Sequence, residues 1–341
     1  MTFRLDSSGT EPIYKSLVSQ TDTAIHDGSL RAGEMLPSMN ELAARLNISR
    51  ETVKKAYGIL TERGLIVPRH GKGFYVADLS SNQRPEVLVI FDKLSVYKQL
   101  LFNAFSQRLG DGAQIVILTH NQSADLLEYY LDNNLDRYDY YVVMPHFPLD
   151  EATQQKALKQ LSRIPHRKLI LLDHLQPGFY GNFGAVYQDF ENDIYNGLSQ
   201  GNGSLRKTKR LRVITLPSSL YGSSIRKGIE RFVDENKLPV QFLTVAPDDI
   251  LRGDTFLVLN SQLDTGLVAL ARKIQAAGLK IGSDVRIISY NESDMNELVL
   301  GGLTTVSTDF RQMGRQAADM ILSHCLEKVH NPFNMIRRST F

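Results

Sequence analysis

From residue 86 onward, short apolar runs recur with helix-length segments between them, and this alternation restricts the body of the chain to one kind of fold. The runs read VLVIF, AQIVIL, YYVVM, KLILL, Ala185-Val186, LRVITL, VQFLTV, TFLVL and VRIISY. Helical spacing fills Tyr97 to Leu109, Ala124 to Leu131 and Ala152 to Ile164 between the earlier runs. Strands alternating with helices form parallel sheets in an α/β arrangement, because a parallel neighbour is reached only by a crossover. About ten strands in roughly 250 residues predict two lobes with a cleft between them.

The first 77 residues follow a different pattern. Thr10-Glu11-Pro12 reads as a helix start, and Ile13, Leu17, Ala24 and Ile25 keep helical spacing as far as Gly28. Ser38-Met39-Asn40-Glu41 is a capping box, and its helix carries Leu42, Ala43 and Leu46. After a tight turn at Leu46-Asn47-Ile48, Ser49 caps a helix over 49–63 whose buried stripe is Val53, Ala56, Tyr57 and Leu60, closed by Gly64. Two short helices joined so tightly predict a helix-turn-helix. Leu65 to Val67 and Phe74 to Val76, on either side of Arg69-His70-Gly71-Lys72-Gly73, predict a two-stranded wing.

Charge gives this region a partner. The whole chain of 341 residues carries a formal net charge of only +2, yet residues 45–77 hold seven Lys or Arg against two acids. Arg50, Lys54 and Lys55 point outward from the second helix, and Arg69 and Lys72 sit in the wing, so a polyanion is the expected ligand. The stretch 78–85, DLSSNQRP, reads as a linker. A single cysteine, Cys325, excludes an internal disulfide framework and a multi-cysteine metal site and fits a reducing cytosol. MTFRLDSSGT has no apolar h-region, and no apolar run approaches the roughly 18 residues of a membrane span, so a soluble, unexported, cytoplasmic protein is expected.

In open parallel sheets, ligands sit beyond the carboxyl ends of the strands. The residues just past the runs are Asp92, His146, Asp173-His174, Asn260 and Asn291-Glu292. Tyr97, Tyr221 and Phe147 lie nearby in sequence as flat apolar faces. Polar groups for hydroxyls and rings for C–H faces suit a small polyhydroxylated ligand. Catalytic readings find less support. GNGSLRKT, residues 201–208, approximates a phosphate loop, but Arg206 stands where its second glycine belongs, so a solvated loop is expected there. G-x-S-x-G, H-E-x-x-H and paired C-x-x-C are all missing, which leaves acyl-transfer and zinc chemistry without sequence support.

The first 76 residues resemble the winged helix-turn-helix of the GntR family of bacterial transcription regulators. The resemblance rests on PIYKSLVSQTDTAI, on LPSMNELAARLNISRETVKKAYGILTERGLI and on the wing HGKGFYV. Position by position it implies DNA-facing roles for Ser38, Arg50, Thr52, Lys54, His70, Gly71 and Lys72; Asn40 stands where the family usually has Arg. The remainder resembles the periplasmic-binding-protein-like sensor domain of the LacI/GalR family. VLVIFDKLSVYKQLLFNAF is similar to its first strand and helix, LVLNSQLDTGLVALARKIQAAGL to a segment that usually reads N-D, and VRIISYNESDMNELVLGGLTTVSTDFRQMGRQAADMIL to its C-terminal signature. Asn291 stands where the family has a sugar-binding Asp. The family's ligand-binding Arg falls on Ile225, with Arg226 one position away. The combination looks like the arabinose-repressor type of GntR protein.

The expected fold is therefore α/β: an N-terminal winged helix-turn-helix over 1–77, a linker over 78–85, and a two-lobed periplasmic-binding-protein-like parallel α/β sensor domain over 86–341. The resemblance implies a homodimeric, non-enzymatic repressor without cofactor or metal. Its partners would be double-stranded operator DNA and a monosaccharide effector, an arabinose-like pentose or a deoxyhexose. The DNA-facing candidates are Ser38, Asn40, Arg50, Thr52, Lys54, Lys55, Arg69, His70, Gly71 and Lys72. The effector candidates are Asp92, Tyr97, His146, Tyr221, Arg226, Asn260, Asn291 and Glu292. An alternative is a GntR head on a pyridoxal-phosphate-dependent enzyme body, which would need a Schiff-base lysine.

Overall fold

The computed structural model describes residues 12–26, 29–69, 72–77, 85–215, 217–259 and 266–341. The expected helix start at Thr10-Glu11, its end at Gly28, the linker at 78–84 and three candidates (His70, Gly71 and Asn260) lie outside the described residues. The chain divides into two compact units, the first running to residue 84 and the second formed chiefly by residues from 85 onward.

The first unit contains α1 (Ile13–His26), α2 (Met39–Leu46), α3 (Arg50–Glu62), β1 (Ile66–Arg69) and β2 (Gly73–Val76). Both predicted caps form. Ser38 Oγ accepts from the Glu41 amide while the Glu41 carboxylate accepts from the Ser38 amide, and Ser49 Oγ accepts from Thr52 N. Asn47 makes the tight turn in the left-handed region (φ 52°). Gly64 (φ 69°) ends α3, and the Leu65 amide bonds back to the Leu60 carbonyl. Val53, Ala56, Tyr57 and Leu60 are buried with Leu17, Val18 and Leu42 in one core. The antiparallel β1 and β2 form the wing.

The second unit contains two six-stranded sheets. The first lobe supplies β3 (Glu86–Phe91), α4 (Val96–Leu109), β4 (Gln114–Thr119), α5 (Ala124–Asn134), β5 (Tyr140–Val143), α6 (Glu151–Leu161), β6 (Leu169–Asp173) and β7 (Gly184–Tyr187). The second lobe supplies α7 (Phe190–Gln200), α8 (Asn202–Leu205), β8 (Arg210–Ile214), α9 (Gly222–Asn236), β9 (Val240–Leu243), β10 (Asp254–Val258), α10 (Gly266–Ala276), β11 (Arg286–Tyr290) and β12 (Thr304–Thr308). The chain then passes through α11 (Phe310–Leu322) to β13 (Lys328–His330) and finally β14 (Phe333–Ile336). Strand order is β13-β7-β6-β5-β3-β4 in one sheet and β14-β12-β11-β10-β8-β9 in the other, with only β14 antiparallel within these sheets. The chain thus crosses between the sheets after β7, after β12 and after β13. Asn331, fully buried, ties two crossings together: its Nδ2 donates to Thr308 Oγ1 (2.6 Å) and to the Asp309 carbonyl (2.9 Å).

Glycines set the closest helix contacts. A Cβ on Gly228 of α9 would stand 2.1 Å from the Glu191 carbonyl of α7, and one on Gly314 of α11 would stand 2.2 Å from the Leu101 carbonyl of α4. Two local expectations change. Asn202–Leu205, inside the stretch expected as a loop, is a short helix. Thr304–Thr308, which lacks an apolar run, is a fully buried strand.

Candidate functional site

On the head, Arg50 and Lys54 are one helical turn apart on the exposed side of α3, opposite the buried stripe. Lys54 contacts Glu51 at 3.4 Å, both side chains exposed. Ser38 and Asn40 are exposed at the start of α2, with the Ser38 hydroxyl engaged in the cap. Thr52 is half-buried, its hydroxyl 2.8 Å from Ser49 Oγ. Lys55 lies over the Tyr14 ring at 4.0 Å, and Arg69 over the Tyr75 ring at 4.6 Å. Lys72 is exposed at the wing turn.

In the second unit, the carboxyl ends of both sheets open on a cavity of about 520 Å³. Asp92 follows β3, His146 follows β5, Asp173 ends β6, Gln188 follows β7, and Tyr290 and Asn291 stand at the end of β11. Three lining residues, Gln122 (φ 62°), Asp173 (φ 70°) and Asn291 (φ 71°), have left-handed backbones, as strand ends turning sharply into a site often do.

The floor is charged. His146 Nε2 is 3.2 Å from Asp173 Oδ2, His146 Nδ1 is 3.6 Å from Asp92 Oδ2, and Lys98 Nζ is 2.8 Å from Asp92 Oδ1. Burial pushes the His146 imidazole toward neutrality, but its bonds to Asp173 and Asp92 outweigh that and hold its pKa above the usual histidine value. Burial likewise works against ionisation of both aspartates, yet His146 and Lys98 hold their carboxyls below the usual range. Gln188 Nε2 donates to Asp173 Oδ1. Two carboxylates thus face Lys98 and a histidine whose charged form they favour.

Aromatic faces complete the walls. Phe190 stacks on Tyr221 with centroids 4.2 Å apart and planes 12° apart, and Tyr97 stacks on Phe310 at 5.3 Å. Charged and polar edges facing flat rings can hold a ligand bearing hydroxyls on one side and C–H groups on the other. Among the described residues no cluster of His, Cys, Asp or Glu has the make-up of a metal site.

Asp92, Tyr97, His146, Tyr221 and Asn291 thus line one cavity. Three expectations are corrected. Arg226 is exposed on α9, its guanidinium 2.7 Å from Glu230 and over the Phe242 ring, so it turns away from the cavity. Glu292 is clamped by Arg338 in a two-pronged pair (3.0 Å each) and by the Thr305 hydroxyl, so its carboxylate is already neutralised off the cavity wall. Phe147 is fully buried in the first lobe, stacked on His120. Sequence reading omitted Lys98, Gln188, Phe190, Tyr290 and Phe310. Gln188 obeys the strand-end rule, being the first residue past β7; Phe310 and Lys98, on helices, carry no such signal.

The comparisons agree with this architecture. The profile of bacterial regulatory proteins of the gntR family matches residues 13–76, and that of the periplasmic binding protein-like domain matches residues 218–340. The arabinose metabolism transcriptional repressor of Halalkalibacterium halodurans is 22% identical over 353 aligned positions, covering 93% of this chain and 90% of that protein. The HTH-type transcriptional repressor YtrA of Bacillus subtilis is 30% identical over 101 positions, covering 30% of this chain and 77% of that protein. The lac repressor dimer bound to operator and the anti-inducer ONPF shares the fold, with a TM-score of 0.59 and 18% identity over 77% of this chain and 96% of that one. So does a periplasmic binding protein/LacI transcriptional regulator from Alkaliphilus metalliredigens complexed with D-xylulofuranose, at a TM-score of 0.57 and 14% identity over 75% of this chain and 98% of that one. The chain belongs to the GntR family of bacterial regulatory proteins, its winged head followed by a periplasmic-binding-protein-like domain.

Proposed function

We propose that this protein is a cytoplasmic transcriptional repressor that binds operator DNA as a homodimer and releases it when a monosaccharide fills the cleft. The observation that carries this reading is the cavity at the carboxyl ends of two parallel sheets, lined by hydroxyl-binding groups and stacked rings, in a chain whose head exposes a cationic helix face. An arabinose-like pentose or a deoxyhexose suits that lining, and the name of the Halalkalibacterium relative supports the same class. The recognition helix α3 would enter the major groove with Arg50 and Lys54 foremost, while Arg69 and Lys72 of the wing reach phosphate or the minor groove. Pairing would use the first lobe, where Leu94, 74% exposed, shares a surface groove with Ile117 of the edge strand β4.

A sugar that prefers one lobe arrangement by 1 to 3 kcal/mol would change operator affinity by about 5- to 150-fold. The periplasmic-binding-protein-like body takes the place of the aminotransferase-like body that the alternative reading requires. Two measurements test the proposal. Arg50→Ala should abolish the gel shift of promoter fragments from the protein's own locus; unchanged affinity removes α3 from the docking face. In thermal-shift screening of monosaccharides, a true effector raises Tm by mass action.

A further inference from the structure

Several buried polar atoms of the cleft lining have no hydrogen-bond partner among the described residues. Gln188 Oε1 and Tyr290 Oη are buried and have no hydrogen-bond partner among the described residues, although both side chains line the cavity. The orientation of the Gln188 amide is fixed by chemistry. Asp173 is ionised and can only accept, so the amide NH₂ must face it and Oε1 must face away. Tyr290 lines the same cavity. Burial, and next the charge of Asp173, push its hydroxyl well above the usual phenol range, so it stays protonated and needs an acceptor. Neighbouring Asn291 adds a further buried acceptor, Oδ1, without a partner among the described residues.

Among the described residues, the cleft lining thus holds an unsatisfied donor, Tyr290 Oη, and unsatisfied acceptors in Gln188 Oε1 and Asn291 Oδ1. A carbonyl or carboxylate could serve only the tyrosine, and an ammonium only the glutamine; an alcohol can accept from one and donate to the other. We infer that Gln188 and Tyr290 determine specificity by reading an alcohol hydroxyl of the bound sugar, which donates to Gln188 Oε1 and accepts from Tyr290 Oη. Asp173 is the positioning residue that sets the amide. The inference rests on the monosaccharide reading above and names the group by which the site selects among sugars. A ligand lacking that hydroxyl leaves both protein groups unpaired and is discriminated against.

The test uses the full-length protein and a panel of L-arabinose, D-xylose, L-fucose and L-rhamnose, with affinities from titration calorimetry. Tyr290→Phe removes only the orphaned hydroxyl. The unliganded Tm should stay level or rise, while affinity for whichever panel sugar binds the wild type falls roughly 10- to 100-fold. Gln188→Met should weaken the same sugar comparably. Toward the deoxy analogue lacking the read hydroxyl, wild type and Tyr290→Phe should be equal, the signature of a direct pair in a double-mutant cycle. Wild-type affinity in both variants, as expected if a floor water satisfies these groups, overturns the inference and leaves the monosaccharide reading standing. A fall in unliganded Tm for Tyr290→Phe with unchanged affinity likewise overturns it, showing a structural hydroxyl. Failure of the wild type to bind any panel sugar overturns the monosaccharide reading and the inference with it.

Discussion

His174 makes the sensor unit sensitive to acid. It follows Asp173 at the end of β6, and its ring is enclosed by Tyr221 at 4.7 Å, Phe190 at 5.9 Å and His146 at 6.3 Å between centroids. Burial, reinforced by the positive charge of His146, pushes its pKa down to about 4. In the unfolded chain the same group titrates near 6.5, so the unfolded state takes up the proton first and acidification favours unfolding. The loss begins as pH falls below about 6.5 and is complete near 4. With one pKa unit equal to about 1.4 kcal/mol, it amounts to about 2 kcal/mol at pH ~5 and about 3 kcal/mol in full. His146 acts with the opposite sign. Its folded pKa is raised, so its contribution is complete below the unfolded value and is lost as pH rises through the folded one. Asp92 and Asp173 have lowered pKa values, so their contribution is present above about 4, outside this window. Replacing His174 with Gln removes the titrating base and keeps a polar side chain. Urea unfolding followed by far-UV circular dichroism, suited to a chain without tryptophan, should show the wild type losing about 2 kcal/mol more than His174→Gln between pH ~7 and ~5. Equal losses in the two proteins would refute the buried-base argument.

Two glycines give predictions of opposite sign. Gly58 lies in α3, where an added Cβ would meet nothing within 4 Å, so Gly58→Ala should stabilise the head by about 1 kcal/mol, read as a higher Tm of its transition. Because Gly58 is one turn beyond Lys54 on the exposed stripe, the same change should weaken operator binding; undiminished binding would take that stripe out of the contact. Gly228→Ala places a Cβ 2.1 Å from the Glu191 carbonyl and 2.5 Å from Ile194 Cγ2, forcing α7 and α9 apart, and should cost about 1–3 kcal/mol in denaturant unfolding.

Much of the fold was legible because it depends on local rules. The caps at Ser38 and Ser49, the buried stripe of α3 and the apolar central strands all follow from which side chains satisfy or desolvate the backbone around them. The strand TTVST was not legible, since its burial depends on partners remote in sequence. Thr304 Oγ1 donates to the Arg338 carbonyl, Thr305 Oγ1 to Glu292, and Thr308 Oγ1 accepts from Asn331. A polar strand with those partners is as comfortable inside as an apolar one, but no window of adjacent residues shows them.

The same distinction divides the candidate site. The rule that ligands gather past the ends of parallel strands found Asp92, His146 and Asn291, because topology alone carries those positions to the cavity. Whether a side chain then turns inward depends on what else it can reach. Glu292 found Arg338, and Arg226 found Glu230 and Phe242, so both adjacent charges were drawn off the wall. Asp173 and Asn291 stay on it with left-handed backbones, as does Gln122, a conformation that costs each roughly 1 kcal/mol and persists only when surrounding contacts enforce it. Asp173 is held by His146 and Gln188, and Asn291 by Val306 and Asn296. A cleft held in this way is fixed less by any one motif than by the competition between an inward-facing pose and a nearby ion pair, and that competition becomes visible only once the sheets are assembled.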